Sequence, residues 1–117
     1  MGKEVVVVKD SPGFITSRVS ALISNEALAI LEAGIASAED IDRALKLGLN
    51  HPMGPLELAD LVGLDVCLNV LEYLHQMLGE KYRPSPLLRR YVKEGRLGCK
   101  TGRGVYDYPQ HESSVGI

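Results

Sequence analysis

The chain has 117 residues, of which 45% are hydrophobic, and its 13 basic and 15 acidic side chains give a formal net charge of −2. This length fits one domain with a modest core, and the interspersed charges leave no basic patch for nucleic acid or an anionic membrane surface. No apolar run approaches the roughly 20 residues that span a bilayer. Cys67 and Cys99 stand without metal-ligand spacing or a secretory signal, which predicts reduced thiols in a cytoplasmic protein.

Residues 4–9, EVVVVK, form a β-branched run that predicts a strand. Four valines without alternation are typical of a strand that is buried on both faces, as in a parallel sheet covered by helices. The rest of the sequence predicts no second strand. Three interpretations stay open: residues 1–9 are the last strand of a preceding domain, they pair with a second copy of the chain, or they fray.

Helix-start signals, prolines and glycines predict five helices after that strand. Ser11 followed by Pro12 starts the longest helix, which ends at Gly34. Together the helices predict an all-α bundle in a domain over residues 10–108, with a disordered tail over residues 109–117. The other four are predicted from Ser37 to Gly48, over residues 56–62, from an Asp65 N-cap to Gly79 and from Ser85 to Gly95.

The turn over residues 51–55 is unusually rich in proline and glycine. Pro52, Gly54 and Pro55 surround Met53. Pro55 suits the first turn of a helix, where a missing N–H group costs nothing. This turn either only connects two helices or faces a ligand, since loops carry many functional residues.

One face of the longest helix carries a stripe of small residues at helical spacing: Ser17, Ser20, Ala21 and Ser24. Such a stripe permits close packing of a neighbouring helix. It can equally form a polar wall towards a ligand, because buried hydroxyl groups need hydrogen-bond partners. Both interpretations stay open.

Three motifs resemble the C-terminal domain of the 3-hydroxyacyl-CoA dehydrogenases, the 3-hydroxybutyryl-CoA dehydrogenase group included. They are DSPGFITSR at residues 10–18, PMGPLELAD at 52–60 followed by GLD at 63–65, and GCKTGRGVYDY at 98–108. The resemblance implies the helical fold that this domain shares with the C-terminal domain of 6-phosphogluconate dehydrogenases. That related family would not predict PMGPLELAD. The resemblance also implies that residues 1–9 end a dinucleotide-binding domain.

In the family, the N-terminal domain binds NAD and supplies a catalytic His–Glu pair, while the C-terminal domain closes the acyl-CoA cleft and forms the homodimer. The resemblance therefore implies a part in the NAD-dependent oxidation of 3-hydroxyacyl-CoA in fatty-acid and butanoate metabolism. It also implies that this chain alone is inactive and binds no cofactor by itself. His51 does not match the catalytic histidine. The alternative is a stand-alone helical dimerisation module without catalysis.

The resemblance assigns roles to five residues of this chain. Ser17 stands where the family commonly has an asparagine beside the thioester carbonyl of the substrate. Serine keeps a donor and an acceptor but is shorter, so a water molecule can bridge the gap. Pro52, Met53 and Leu58 line the acyl pocket by resemblance, or else they pack in the core. Lys100 reaches NAD from the glycine-rich tail. Three scattered histidines predict no metal site.

Overall fold

The computed structural model describes residues 15–109, which form helices and no strand longer than an isolated bridge. The all-α prediction is confirmed for this part of the chain. The predicted strand over residues 4–9, the helix start at Ser11 and the tail beyond residue 109 lie outside the described residues. The helices are α1 Ile15–Glu32, α2 Ala38–Gly48, α3 Pro55–Val62, α4 Leu64–Leu78 and α5 Pro86–Lys93, with short 3-10 turns at Glu80–Tyr82 and Cys99–Thr101.

Serine side chains start two of the helices, as predicted. Ser37 Oγ accepts a hydrogen bond from the Asp40 N–H group at 3.1 Å at the start of α2. Ser85 Oγ accepts one from the Leu88 N–H group at 3.1 Å at the start of α5. Each hydroxyl satisfies an N–H group that has no partner within its own helix.

The predicted N-cap of α4 at Asp65 is wrong. A single residue, Gly63, joins α3 to α4 and takes the N-cap position, so that α4 already begins at Leu64. The Leu64 N–H group donates to the Leu97 carbonyl oxygen at 2.8 Å, which fixes this early start. Asp65 therefore lies inside the first helical turn, where its carboxylate is available for another partner.

Leucines dominate the core. α1 packs against α3, α4 and α5, and α4 packs against α5. Tyr82 is 1% exposed, and its hydroxyl oxygen accepts a hydrogen bond from Arg18 Nε at 2.9 Å. The fully buried leucines are Leu28, Leu56, Leu64, Leu71, Leu74 and Leu88.

Two properties of the described residues bear on the function. None of the helices between residues 15 and 109 combines the length and the apolar character needed to cross a membrane. The same residues contain no group of three or more His, Cys, Asp or Glu side chains that could hold a metal ion.

Both cysteines are free thiols, with Cys67 buried and Cys99 exposed. Burial raises the pKa of the Cys67 thiol to about 11, so this thiol stays protonated at neutral pH.

Candidate functional site

An apolar cleft of about 680 Å³ opens between the first half of α1 and the turn that precedes α3. Pro52, Met53 and Leu58, the three residues assigned to an acyl pocket, all line this cleft. Ile15 and Val19 line the opposite wall from α1. The turn over residues 51–55 thus faces an open apolar space, as a ligand-facing turn does. We call this space the large cleft.

A second cleft of about 320 Å³ continues between α1, α3 and α4, and we call it the small cleft. Ser20, Ser24 and Leu58 line both clefts, so the two adjoin along α1. Ser17 lines the small cleft and is exposed, whereas Ala21 and Ser24 are 7% and 3% exposed. The small residues of the stripe therefore differ in their surroundings. Ala21 and Ser24 are buried, whereas Ser17 is exposed at the small cleft.

Apolar side chains around the two clefts remain open to solvent. On the large cleft, Ile15 is 55% exposed, Val19 50% and Leu61 59%. On the small cleft, Val62 is 48% exposed and Val66 40%. Exposed apolar surface gathered in one place marks a binding or interaction site.

Asp42, a buried carboxylate that was not predicted from the sequence, supports the turn over residues 51–55 without lining the large cleft. Asp42 of α2 is 3% exposed and accepts hydrogen bonds from the N–H groups of Leu56 at 2.8 Å and Glu57 at 3.1 Å. It thereby caps α3 from a different helix. A Cβ atom at Gly54 would collide with the Asp42 side chain, so glycine lets the backbone of the turn lie directly against the carboxylate.

A second buried carboxylate, Asp60 of α3, holds residues 98–108 in place, and it too was not predicted from the sequence. We call residues 98–108 the C-terminal tail; it does not include residues 109–117. It is fully buried and accepts hydrogen bonds from the N–H groups of Val105 at 2.9 Å and Tyr106 at 3.0 Å, and from the Tyr108 hydroxyl at 2.6 Å. The Tyr106 hydroxyl donates to Asp42 at 2.6 Å. Burial, followed by these hydrogen bonds to carboxylates, raises the pKa of both tyrosines well above the usual range. Both hydroxyls therefore stay protonated donors.

Lys100, the residue assigned to NAD, already has a partner in this structure. Its Nζ lies 2.8 Å and 3.0 Å from the two carboxylate oxygens of Asp65. The hydrogen bond from Lys100 is the main cause that lowers the pKa of Asp65. Asp65 is next in sequence to Val66, which lines the small cleft, whereas Lys100 lines neither cleft. The ammonium group thus pairs with Asp65 at the start of α4, and neither residue lines a cleft.

Within residues 15–109, the two histidines supply no acid–base pair to the clefts. His51 lines the large cleft and is half-buried. His75 Nε2 lies 2.9 Å from Glu80 Oε2, but neither residue lines a cleft. Residues 15–109 also contain no glycine-rich strand–turn–helix unit that could hold the pyrophosphate of a dinucleotide. The described part of the chain therefore offers apolar walls for a ligand.

Comparison with known proteins gives a consistent result. The family model described as "3-hydroxyacyl-CoA dehydrogenase, C-terminal domain" matches residues 13–108. A protein of Bacillus subtilis named "Probable 3-hydroxybutyryl-CoA dehydrogenase" is 56% identical over 97% of this chain. A protein of Bradyrhizobium diazoefficiens named "3-hydroxybutyryl-CoA dehydrogenase" is 53% identical over 92% of it. The chain spans 40% and 37% of these two relatives.

Solved structures give the same similarity. The crystal structure of an (S)-3-hydroxybutyryl-CoA dehydrogenase from Ralstonia eutropha superposes with a TM-score of 0.85 at 52% identity, over 88% of this chain and 37% of that one. A 3-hydroxybutyryl-CoA dehydrogenase from Escherichia coli superposes with a TM-score of 0.80 at 42% identity, over 87% of this chain and 22% of that one. The similarity in each case covers most of this chain and a minor part of the larger protein.

Proposed function

Since this chain belongs to the 3-hydroxyacyl-CoA dehydrogenase family and corresponds to its C-terminal domain, we propose that it forms one wall of an acyl-CoA cleft in NAD-dependent oxidation of 3-hydroxybutyryl-CoA. The observation that supports this most is the large cleft, which Pro52, Met53 and Leu58 line together. An open apolar surface of this kind binds an acyl chain by removing it from water.

Ser17 contributes the polar group in this proposal. Its hydroxyl group can donate a hydrogen bond to the thioester carbonyl oxygen, directly or through a water molecule. A donor at that position fixes the thioester carbonyl and thereby holds C3, the carbon that loses the hydride, in a defined position during the reaction. Ser17 is exposed and lines the small cleft, so no packing contact prevents this role.

The dinucleotide-binding domain completes the site in the proposal. NAD, when bound, supplies the hydride acceptor for the carbon that carries the 3-hydroxyl group. The hydroxyl proton passes to a base, which by family resemblance belongs to a His–Glu pair of that domain. Lys100 contributes a positive charge near the nucleotide, shared with Asp65, which lies 2.8 Å away.

We also propose that the domain pairs with a second copy of itself, in a cytoplasmic enzyme. Exposed apolar residues that line neither cleft, among them Leu47 of α2 and Tyr73 and Met77 of α4, support a further interface, because such surface is stabilised by being covered. The two free thiols are consistent with a reducing compartment. Sedimentation equilibrium of the chain should give a dimer at micromolar concentration, and a monomer throughout would contradict the pairing.

A chimaera tests the proposed function. The part of the Bacillus subtilis relative that matches this chain is replaced by the chain itself, since the two are 56% identical there. The purified chimaera should produce NADH from 3-hydroxybutyryl-CoA, whereas the 117-residue chain alone should not. A folded chimaera without activity would refute the proposal, provided that the unaltered relative is active in the same assay.

A further inference from the structure

A separate groove of about 400 Å³, lined mainly by charged and tyrosine side chains, shares no residue with the large cleft. Some of its lining residues contact the turn over residues 51–55. Asp42, Lys46, Glu57 and Tyr106 line this groove, and none of them lines the large cleft. The groove joins α2, the start of α3 and the C-terminal tail. The shape of the substrate-facing turn therefore depends on groups that no ligand in the cleft would touch.

We propose that Tyr106 is a positioning residue for the acyl-binding turn and acts through Asp42, an inference that rests on the proposed function. The Tyr106 hydroxyl donates to Asp42 Oδ2 at 2.6 Å, and the same oxygen accepts from the Glu57 N–H group at 3.1 Å. Asp42 Oδ1 accepts from the Leu56 N–H group at 2.8 Å. The carboxylate thus connects the tail to the first turn of α3, immediately after the turn that carries Met53.

Contact with Gly54 transmits this constraint to the cleft. The backbone of Gly54 lies so close to the Asp42 side chain that a Cβ atom there would overlap it. Met53, the residue before Gly54, lines the large cleft and is 39% exposed. A carboxylate that loses its tyrosine donor is free to rotate or to take up water, and the backbone packed against it then changes position.

A second carboxylate restrains the turn from the same groove. Glu57 Oε1 accepts a hydrogen bond from the Gly54 N–H group at 3.2 Å and lies 3.2 Å from Lys46 Nζ. Lys46 and Glu57 are both partly exposed. Lys46→Met should therefore loosen the turn in the same direction as loss of the Tyr106 hydroxyl, but to a smaller extent.

Tyr108 provides a matched control. Its hydroxyl also donates to a buried carboxylate at 2.6 Å, but this carboxylate is Asp60. The other donors to Asp60 are the N–H groups of Val105 and Tyr106, which belong to the tail itself. Tyr108 also lines the groove, and the Asp60 Oδ2 atom that it contacts also accepts from the Tyr106 N–H group. Tyr108→Phe nevertheless removes a chemically equivalent hydrogen bond while leaving all three hydrogen bonds of Asp42 in place.

The first test uses the chain as it stands, with its methionine methyl groups labelled with carbon-13 for NMR. Tyr106→Phe should shift the Met53 methyl resonance and speed hydrogen exchange at the Leu56 and Glu57 N–H groups about tenfold. Met77 of α4 should keep its resonance. Tyr108→Phe should leave Met53 unchanged and speed exchange at Val105. An unshifted Met53 methyl group in Tyr106→Phe, or an equal shift in both variants, would overturn the inference.

The second test measures the kinetics of the chimaera. Tyr106→Phe should raise KM for 3-hydroxybutyryl-CoA by about three- to tenfold with kcat changed less than about twofold, because the turn binds substrate without taking part in the chemistry. Tyr108→Phe should leave this KM unchanged despite a similar fall in Tm. Equal KM in the two variants would overturn the inference. An inactive unaltered chimaera would instead refute the proposed function, and the NMR result would still decide whether Tyr106 positions the turn.

Discussion

On the tail side of α3, Asp42 and Asp60 are buried and each accepts three hydrogen bonds. On the cleft side, Leu61 and Val62 of the same helix are 59% and 48% exposed. The polar groups of the domain are thus satisfied where its own tail covers α3, while apolar surface remains open where we propose that substrate and another domain bind. Changes on the tail side should lower stability, and Tyr106→Phe should in addition weaken substrate binding through Asp42. Changes on the cleft side should lower activity with little effect on stability.

Asp60→Ala should have the largest effect. It leaves the N–H groups of Val105 and Tyr106 and the hydroxyl group of Tyr108, which are partly buried, without their acceptor. We expect a loss of about 3–5 kcal/mol in the free energy of unfolding, measured by urea denaturation, because unsatisfied buried donors are costly.

Asp107→Ala is the control for that prediction. This tail carboxylate pairs with Arg103 at 3.0 Å, but its side chain is 77% exposed. Its removal should change the free energy of unfolding by less than about 0.5 kcal/mol. Similar losses in the Asp60 and Asp107 variants would contradict the prediction that a buried carboxylate on the tail side stabilises the domain more than an exposed one.

Gly98→Ala should be the next most damaging change on the tail side. Gly98 has a φ of 115°, and a Cβ atom there would collide with the backbone of Asp60. The expected loss is about 2–3 kcal/mol, from strain at positive φ and from displacement of the tail. Gly48, at the end of α2, has free space around it. Gly48→Ala should therefore be neutral or slightly stabilising in the same urea denaturation measurement.

Ser17 tests the cleft side. In the chimaera, Ser17→Ala should lower kcat by about tenfold, because C3 of the substrate is then held less precisely for hydride removal. Ser17→Asn should retain activity. Ser17 is exposed, so neither variant should shift Tm appreciably. An active Ala variant beside an unstable Asn variant would instead assign Ser17 to helix packing, where overpacking costs about 1–3 kcal/mol.

Asp65 and Lys100 should give the smallest effect and a characteristic pH dependence. A carboxyl group whose folded-state pKa lies below its ordinary value of 3.8 adds stability above that value and loses it as the pH falls through the lowered pKa. Asp65→Asn should therefore cost less than about 1 kcal/mol at pH 7 for a partly exposed pair. In urea denaturation at decreasing pH, the free energies of unfolding of Asp65→Asn and the unaltered chain should approach each other. A difference that grows as the pH falls would contradict a stabilising pair between Asp65 and Lys100.

The sequence allowed prediction of elements whose signals are local. Ser37 and Ser85 start helices as their sequence context indicated, and Pro55 begins α3. The N-cap prediction at Asp65 was wrong, because an acidic residue two positions after a glycine is compatible both with an N-cap and with the first helical turn. Its actual partner, Lys100, lies 35 residues away.

The support of the cleft was not predictable in this way. Asp42 is 14 residues away in sequence from its hydrogen-bond partner Leu56 and 64 residues away from Tyr106. Asp60 is 48 residues away from its partner Tyr108. An aspartate in a helix normally reads as a solvated surface residue, since carboxylates are rarely buried without partners. Only the folded chain brings those partners together. The pocket residues Pro52, Met53 and Leu58 came from the family resemblance, and periodicity alone would have left them as core.

Hydrogen exchange of the chimaera with and without acetoacetyl-CoA, in the absence of nucleotide, tests the two-sided account of α3 most directly. We predict that this 3-ketoacyl-CoA, the product of the proposed oxidation, slows exchange in residues 15–24, 51–62 and 66–70, which contain the walls of both clefts. It should leave residues 98–108 unchanged because the buried aspartates already protect the tail. Protection that appears in residues 98–108 and not in the cleft segments would contradict the account.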